Sequence, residues 1–109
     1  MEDKIKELIE NWNLDEEIYD EGVLEPREDF NGGIIGITED KQHLIYSYEK
    51  LAESLATSYE RQFYKDNPNP SEDEIPDFYQ DAIEWIDCNT IRTIPYLKKE
   101  HAPIIIYEV

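Results

Sequence analysis

Residues 33–64 read GIIGITEDKQHLIYSYEKLAESLATSYERQFY, and they carry the clearest structural signals in the chain. Two short runs rich in isoleucine, leucine and tyrosine, 33–38 and 43–47, flank the polar sequence EDKQ, which predicts a β-hairpin. Residues 48–64 then place apolar side chains at every fourth position, which predicts a helix with one apolar face: Leu51, Leu55, Tyr59 and Phe63. Ser47 is a suitable N-cap for that helix.

Three further segments outside this stretch have clear patterns. Residues 77–87 predict a second helix, with Phe78, Ala82, Trp85 and Ile86 on its apolar face. Residues 102–109 contain three consecutive isoleucines and predict a strand, and an unbroken apolar run is typical of a strand in mid-sheet or covered on both faces. Residues 3–12 predict an amphipathic helix with Ile5, Leu8, Ile9 and Trp12 along one face.

The order of these elements predicts an α+β fold. We expect a small three-stranded sheet, made of the β-hairpin and the C-terminal strand, with two helices packed on one face and an extra N-terminal helix. The C-terminal strand could pair beside the first strand, which would place the isoleucine-rich strands together. The predicted organisation is an acidic N-terminal helix and connector over 1–31, followed by a ββααβ domain over 32–109.

The charge of the chain restricts its partners. It has 27 acidic and 10 basic residues in 109, a net charge of −17. Residues 1–31 alone hold twelve acidic residues against Lys4, Lys6 and Arg27, a net charge of −9. Such a surface repels nucleic acid and anionic membranes and attracts basic proteins. We therefore expect no direct nucleic-acid binding and no membrane binding, and no segment approaches the roughly 20 apolar residues of a membrane helix.

Residues 13–31 lack a clean hydrophobic period. Their many carboxylates would be costly to bury, so we expect most of this connector to face water or a partner, with one short element pinned by Tyr19 or Leu24.

Four segments resemble a family of small uncharacterised proteins of Firmicutes and their phages and mobile elements: IGITED at 35–40, LIYSYEK at 44–50, AIEWIDCNTIRTIPY at 82–96 and APIIIY at 102–107. The resemblance covers roughly residues 33–109. Cys88 stands where the family pattern has tyrosine, so a role that needs a hydroxyl there does not carry over. The resemblance implies a bacterial or phage context and no particular chemistry.

Catalytic, cofactor and metal sites are not expected from the sequence, and we do not expect an enzyme. A nucleophile needs a neighbouring base, and the only candidates are Cys88, His43 and His101. Cys88 follows an apolar helical face and is expected to be buried and unreactive. Both histidines are expected on the surface, and two distant histidines with one cysteine make a transition-metal site improbable.

Six residues are the candidates for partner binding. The acidic ones, which could imitate a phosphate backbone, are Asp15, Glu16, Glu17, Asp20 and Glu21. The sixth is Arg92, for which two interpretations remain open. It could pair with an acid such as Asp87 or Glu84, or it could be a recognition residue flanked by Tyr96 and Trp85.

Two functional hypotheses follow. The first is a phage- or mobile-element-type interaction module that inhibits a basic nucleic-acid-binding protein by charge mimicry, as anti-CRISPR proteins do. The second is a non-catalytic accessory or regulatory domain whose acidity serves solubility. One cysteine and a charged N-terminus without a signal peptide favour a cytoplasmic location. The sequence leaves the oligomeric state undetermined.

Overall fold

The computed structural model describes residues 3–109, so Met1 and Glu2 of the predicted N-terminal segment lie outside the described residues. The predicted α+β class is confirmed. The longer elements in chain order are α1 (Lys4–Trp12), α2 (Ile18–Glu21), α3 (Arg27–Phe30), β1 (Ile34–Ile37), β2 (Leu44–Ser47), α4 (Tyr48–Asp66), α5 (Phe78–Trp85) and β3 (Ile104–Ile106). Short 3₁₀ turns at Asn31–Gly33, Glu72–Glu74 and Ile94–Tyr96 and a π-helical turn at Ile86–Ile91 complete the path.

Local sequence explains where α4 and α5 begin. The Ser47 hydroxyl accepts a hydrogen bond from the Lys50 amide at 3.2 Å, so α4 has its predicted N-cap. Asp77 does the same for α5, accepting from the Gln80 amide at 3.0 Å. α4 and α5 pack against each other, and α4 also contacts β2.

The sheet is mixed, with strand order β1-β2-β3. β1 and β2 form the predicted antiparallel hairpin, with an irregular register between Ile34 and Gly36. β3 runs parallel to β2, with Ile105 opposite Tyr46. The prediction that the C-terminal strand pairs beside the first strand is therefore wrong. The chain leaves β2 and returns to β3 through α4 and α5, and such a helical crossover brings the returning strand in parallel to β2.

β3 is an edge strand, which corrects the prediction of a strand in mid-sheet or covered on both faces. Ile104 and Ile106 are each 39% exposed, whereas Ile105 packs against the core. Successive side chains of a strand point to opposite faces, so the apolar run presents two of its three isoleucines to the outer face. Continuous hydrophobicity in a strand of three residues does not imply burial on both faces.

One hydrophobic core takes in both parts of the chain. Residues 3–31 contribute Ile5, Leu14, Ile18, Leu24 and Phe30, and residues 32–109 contribute Leu44, Tyr46, Leu51, Ala52, Leu55, Ala82 and Ile86. Segment 13–31 thus forms two short helices, with Ile18 on α2 and Phe30 on α3, and places Leu14 and Leu24 in the core from the turns beside them, rather than the single pinned element expected in the connector. The domain boundary at residue 31 stays a prediction.

Side-chain contacts reinforce the junction between the N-terminal segment and the helical pair. The Phe30 and Trp85 rings lie with centroids 6.1 Å apart, which joins α3 to α5. The Ser54 hydroxyl of α4 donates a hydrogen bond to the Asp29 carbonyl. Lys4 Nζ donates to the Asn31 carbonyl at 2.8 Å, which joins α1 to the turn before β1. The acidic segment is therefore held on the rest of the fold from several directions.

Candidate functional site

The predicted partner-binding carboxylates lie in and just before α2, and the backbone fixes where they point. Asn13 adopts a left-handed conformation (φ 54°) that ends α1 and turns the chain. Leu14 and Ile18 are buried and anchor the segment on both sides of the turn. The Glu17 amide donates to Asp15 Oδ1 at 2.9 Å, which orients the Asp15 carboxylate. Asp15, Glu16, Glu17 and Asp20 remain exposed.

His101 is buried, which corrects the expectation of a surface histidine. Its side chain is 3% exposed, and Nδ1 lies 3.1 Å from the Gln42 carbonyl oxygen. Nε2 faces the acidic segment, 3.4 Å from Glu17 Oε2 and 3.8 Å from Asp15 Oδ2. His101 is buried because its backbone packs closely against Gly22 at the end of α2. A Cβ atom at position 22 would lie 2.8 Å from the His101 carbonyl oxygen, so only glycine fits there.

Opposing effects set the protonation of His101. Burial disfavours the charged imidazolium, but the hydrogen bond with the Gln42 carbonyl and the negative charges of Asp15 and Glu17 outweigh it. The pKa of His101 is therefore raised above its ordinary value. His43, the other histidine, is half-buried, with Nδ1 2.8 Å from the Ala102 carbonyl oxygen, so it is not a free surface group either.

Glu21 pairs with a lysine. Lys98 Nζ lies 2.7 Å from Glu21 Oε1, and this hydrogen bond raises the pKa of Lys98. The Lys98 side chain is 68% exposed, so the pair is a surface ion pair with little effect on stability. Its role is to join α2 to the turn that precedes β3.

The five predicted carboxylates lie on two sides of α2. Glu17 and Glu21 line a shallow cavity with Lys98 and Glu100. Glu16 lines a different cavity, between α1 and α2, together with apolar and basic side chains that include Ile9, Lys6 and Tyr19. Asp15 lies on the same side as Glu17, because both carboxylates face His101. Asp20 is exposed. The segment therefore offers charge in two directions and not one continuous acidic face.

Arg92 lies apart from this cluster, just after the π-helical turn. It is exposed, and no carboxylate in residues 3–109 pairs with it, so the predicted pairing with Asp87 or Glu84 is wrong. Asp87 instead accepts a hydrogen bond from the Tyr48 hydroxyl at 2.8 Å, and Glu84 accepts one from Gln80 at 3.4 Å. Among residues 3–109, Arg92 is thus an exposed cation without an ion-pair partner, and the interpretation as a recognition residue stays a prediction.

Cys88 is exposed, which corrects the prediction of a buried thiol. The buried positions along α5 and the turn after it are Ala82, Ile86 and Thr90. Cys88 lies two residues from both Ile86 and Thr90. It is therefore about half a turn around the helix axis from these buried side chains and faces solvent. It borders a groove between α4 and α5.

That groove is a second surface that the sequence did not reveal. Its aromatic lining includes Phe63 and Phe78, whose ring centroids are 5.5 Å apart. Its rim includes the carboxylates Asp66, Asp81 and Glu84, and no basic residue lines it among those that the structure describes. Both phenylalanines belong to the apolar helical faces that the sequence predicts. They lie where α4 and α5 meet, and there they are only half-buried.

Three groups could together hold a metal ion. One ligand atom from each of Asp15, Glu17 and His101 lies within 4.8 Å of the other two. No local sequence pattern predicts this arrangement, because the histidine is more than 80 positions away from the carboxylates. Only the packing of the turn before β3 against α2 brings them together.

In the part of the chain that the structure describes, no helix is both long and apolar enough to cross a membrane. Comparison of the chain with protein-family models, curated proteins and solved structures finds no match. The resemblance to small Firmicutes and phage proteins stays a prediction.

Proposed function

We propose that this chain is a non-enzymatic protein-binding module of phage or mobile-element type that acts in the cytoplasm. Its partner is a basic nucleic-acid-binding protein, and by occupying that protein's basic surface the module inhibits nucleic-acid binding. The carboxylates of 15–21 form the proposed contact, and Arg92 is a separate recognition residue outside this segment.

The observation that carries this proposal is that the carboxylates are exposed and that some of them have no side-chain partner. Of the aspartates and glutamates in residues 3–109, all are exposed except Asp3, Glu21 and Asp29, which are half-buried. Glu16 and Asp20 make no side-chain hydrogen bond or ion pair within those residues. Their charge is therefore available to a partner, and it would speed association through long-range attraction.

The structure of the acidic segment adds a second argument. Leu14, Ile18 and the Asp15–Glu17 hydrogen bond hold the carboxylates on an ordered backbone. A disordered acidic tail would lose conformational entropy when it binds, whereas an ordered segment loses less.

One observation favours the alternative, an accessory or regulatory domain whose acidity serves solubility. The carboxylates of 15–21 point to two sides of α2, and others are spread over α4, α5 and the Glu72–Glu74 turn. Charge distributed in this way keeps a protein soluble without any partner.

Affinity capture from a bacterial lysate at low and at high salt distinguishes the two. The proposal predicts capture, at low salt only, of a basic protein whose purified form loses its nucleic acid when this chain is added. Capture of no such protein, or capture of one that keeps its nucleic acid bound, contradicts the proposal and favours the solubility role.

A further inference from the structure

We propose that Asp15, Glu17 and His101 form a binding site for a divalent transition-metal ion, with Zn²⁺ as the first ion to test. This inference goes beyond the proposed function and does not depend on it. It rests on the spacing of the donor atoms, the orientation of the buried imidazole and the local charge.

The spacing of the donor atoms fits a metal centre. Zn²⁺ binds nitrogen and carboxylate oxygen at about 2.0–2.2 Å, so ligand atoms around a tetrahedral ion lie about 3.3–3.6 Å apart. His101 Nε2 lies 3.4 Å from Glu17 Oε2 and 3.8 Å from Asp15 Oδ2. All three donor atoms lie within 4.8 Å of one another, so movement of the two exposed carboxylates could bring the three donors around one ion.

The imidazole is aimed at the carboxylates by the rest of the fold. Nδ1 donates to the Gln42 carbonyl, which leaves the Nε2 lone pair of the neutral ring facing Asp15 and Glu17. A metal-binding histidine characteristically binds the ion with one ring nitrogen and donates a hydrogen bond from the other to a carbonyl, a carboxylate or water. The side chain is 3% exposed, and its hydrogen bond to the Gln42 carbonyl holds the ring in this orientation.

The carboxylates are oriented as well, and they leave one side open. Asp15 Oδ1 accepts from the Glu17 amide, so Oδ2 is the oxygen that faces Nε2. The Glu17 side chain is 69% exposed, which leaves room for water or an external ligand in the fourth position. Two carboxylates and a neutral imidazole carry a charge of −2, and the nearby cation Lys98 is engaged by Glu21.

The donor set also indicates the class of ion. Imidazole suits Zn²⁺, Co²⁺ and Ni²⁺, whereas Ca²⁺ and Mg²⁺ prefer sites made of oxygen alone. Without a metal, a protonated His101 would simply pair with the two carboxylates. The experiment must therefore separate a metal site from a structural ion pair and from weak binding to acidic residues in general.

Calorimetric titration of the isolated protein with Zn²⁺ makes this separation, in a Cys88→Ser background so that the exposed thiol does not contribute. The critical variant is Glu17→Gln, which removes an exposed ligand and leaves the core intact. Its matched control is Glu16→Gln, which removes the same charge one residue away, from a side chain that does not face His101.

The proposal predicts one Zn²⁺ per chain in the background protein and in Glu16→Gln. It predicts at least about tenfold weaker binding in Glu17→Gln, since loss even of an outer-shell partner commonly costs 10–100-fold. At the same Zn²⁺ concentration, the melting temperature of the control should also rise more than that of Glu17→Gln. Absence of saturable one-to-one binding, or equal affinities of the two variants, would overturn the proposal. The titration contains no protein partner, so its outcome is independent of the proposed function.

Discussion

The Tyr46 hydroxyl in the central strand accepts a hydrogen bond from the Leu24 amide, at 3.1 Å and inside the core. Leu24 belongs to the acidic N-terminal segment, between α2 and α3, whereas Tyr46 belongs to the hairpin. This contact joins the segment to the sheet within the core. It also satisfies a backbone amide that has no strand or helix partner of its own.

Replacement of Tyr46 by phenylalanine tests this contact. The Tyr46→Phe variant leaves the Leu24 amide buried without an acceptor, which should cost about 1–3 kcal/mol in the free energy of unfolding. Urea denaturation followed by circular dichroism measures it. The matched control is Tyr96→Phe, because Tyr96 is 90% exposed and its replacement should leave stability unchanged. Equal stability of both variants would show that the hydrogen bond contributes nothing.

Stability should also depend on alkaline pH through Tyr46. Burial raises the pKa of Tyr46 to about 12, although the hydrogen bond from the Leu24 amide partly opposes the effect. In the unfolded chain the pKa is about 10. The neutral phenol therefore stabilises the fold fully below about pH 10, and this contribution is lost as the pH rises from about 10 to about 12.

The same Tyr46→Phe variant isolates that contribution, because Tyr48 and Tyr59 also have raised pKa values and remain in place. Between about pH 10 and pH 12 the wild type should lose stability more steeply than the variant. Identical slopes in both proteins would exclude Tyr46 as the titrating group.

Truncation of Ile18 tests whether the acidic segment is part of the core. Ile18 is fully buried in α2, and Leu55 in α4 is 3% exposed. Ile18→Ala and Leu55→Ala should each cost about 2–5 kcal/mol in the free energy of unfolding, in a single transition. Ile75→Ala, at a position 39% exposed, is the control and should have a much smaller effect. An Ile18→Ala midpoint unchanged from wild type would mean that the segment folds separately.

Thiol labelling tests the corrected position of Cys88. Because the side chain is exposed, a thiol reagent should label the native protein at a rate close to that of the urea-unfolded chain. Reaction only at the rate of global unfolding would restore the original prediction of a buried cysteine.

The elements that could be predicted from sequence are those with strong local patterns. The hairpin, α4, α5 and α1 each have a regular apolar spacing, and Ser47 caps α4 as expected. α2 and α3 have only four residues each, too short for a period to be visible. The position of β3 beside β2 depends on the crossover through α4 and α5, which no local pattern encodes.

The candidate sites are harder to predict than the fold, because they too depend on contacts between distant parts of the chain. Exposure of Asp15, Glu16, Glu17 and Asp20 follows from the cost of burying charge, and it could be read from the sequence. The approach of His101 to Asp15 and Glu17 joins residues at opposite ends of the chain, and it depends on Gly22 admitting the His101 backbone. Contacts of this kind arise only from tertiary packing.

The most direct test of the proposed function measures how binding depends on salt. A short oligo-arginine peptide serves as the basic probe until a natural partner is identified. The test variant neutralises Asp15, Glu16, Glu17, Asp20 and Glu21 together, as Asn or Gln. The matched control neutralises five exposed carboxylates on α4 and the Glu72–Glu74 turn: Glu53, Glu60, Glu72, Asp73 and Glu74. None of these side chains has a partner among the described residues.

Both variants are first checked by circular dichroism, because the test variant also loses the contacts to His101 and Lys98. Each exposed charge pair is worth only about 0–1 kcal/mol, so the effect of five should be collective. The account predicts that the test variant binds the peptide more weakly than the control, with slower association and a shallower dependence of affinity on salt. Equal affinities and salt slopes for the two variants would contradict it, because the charge of the 15–21 segment would then act no differently from charge elsewhere on the surface.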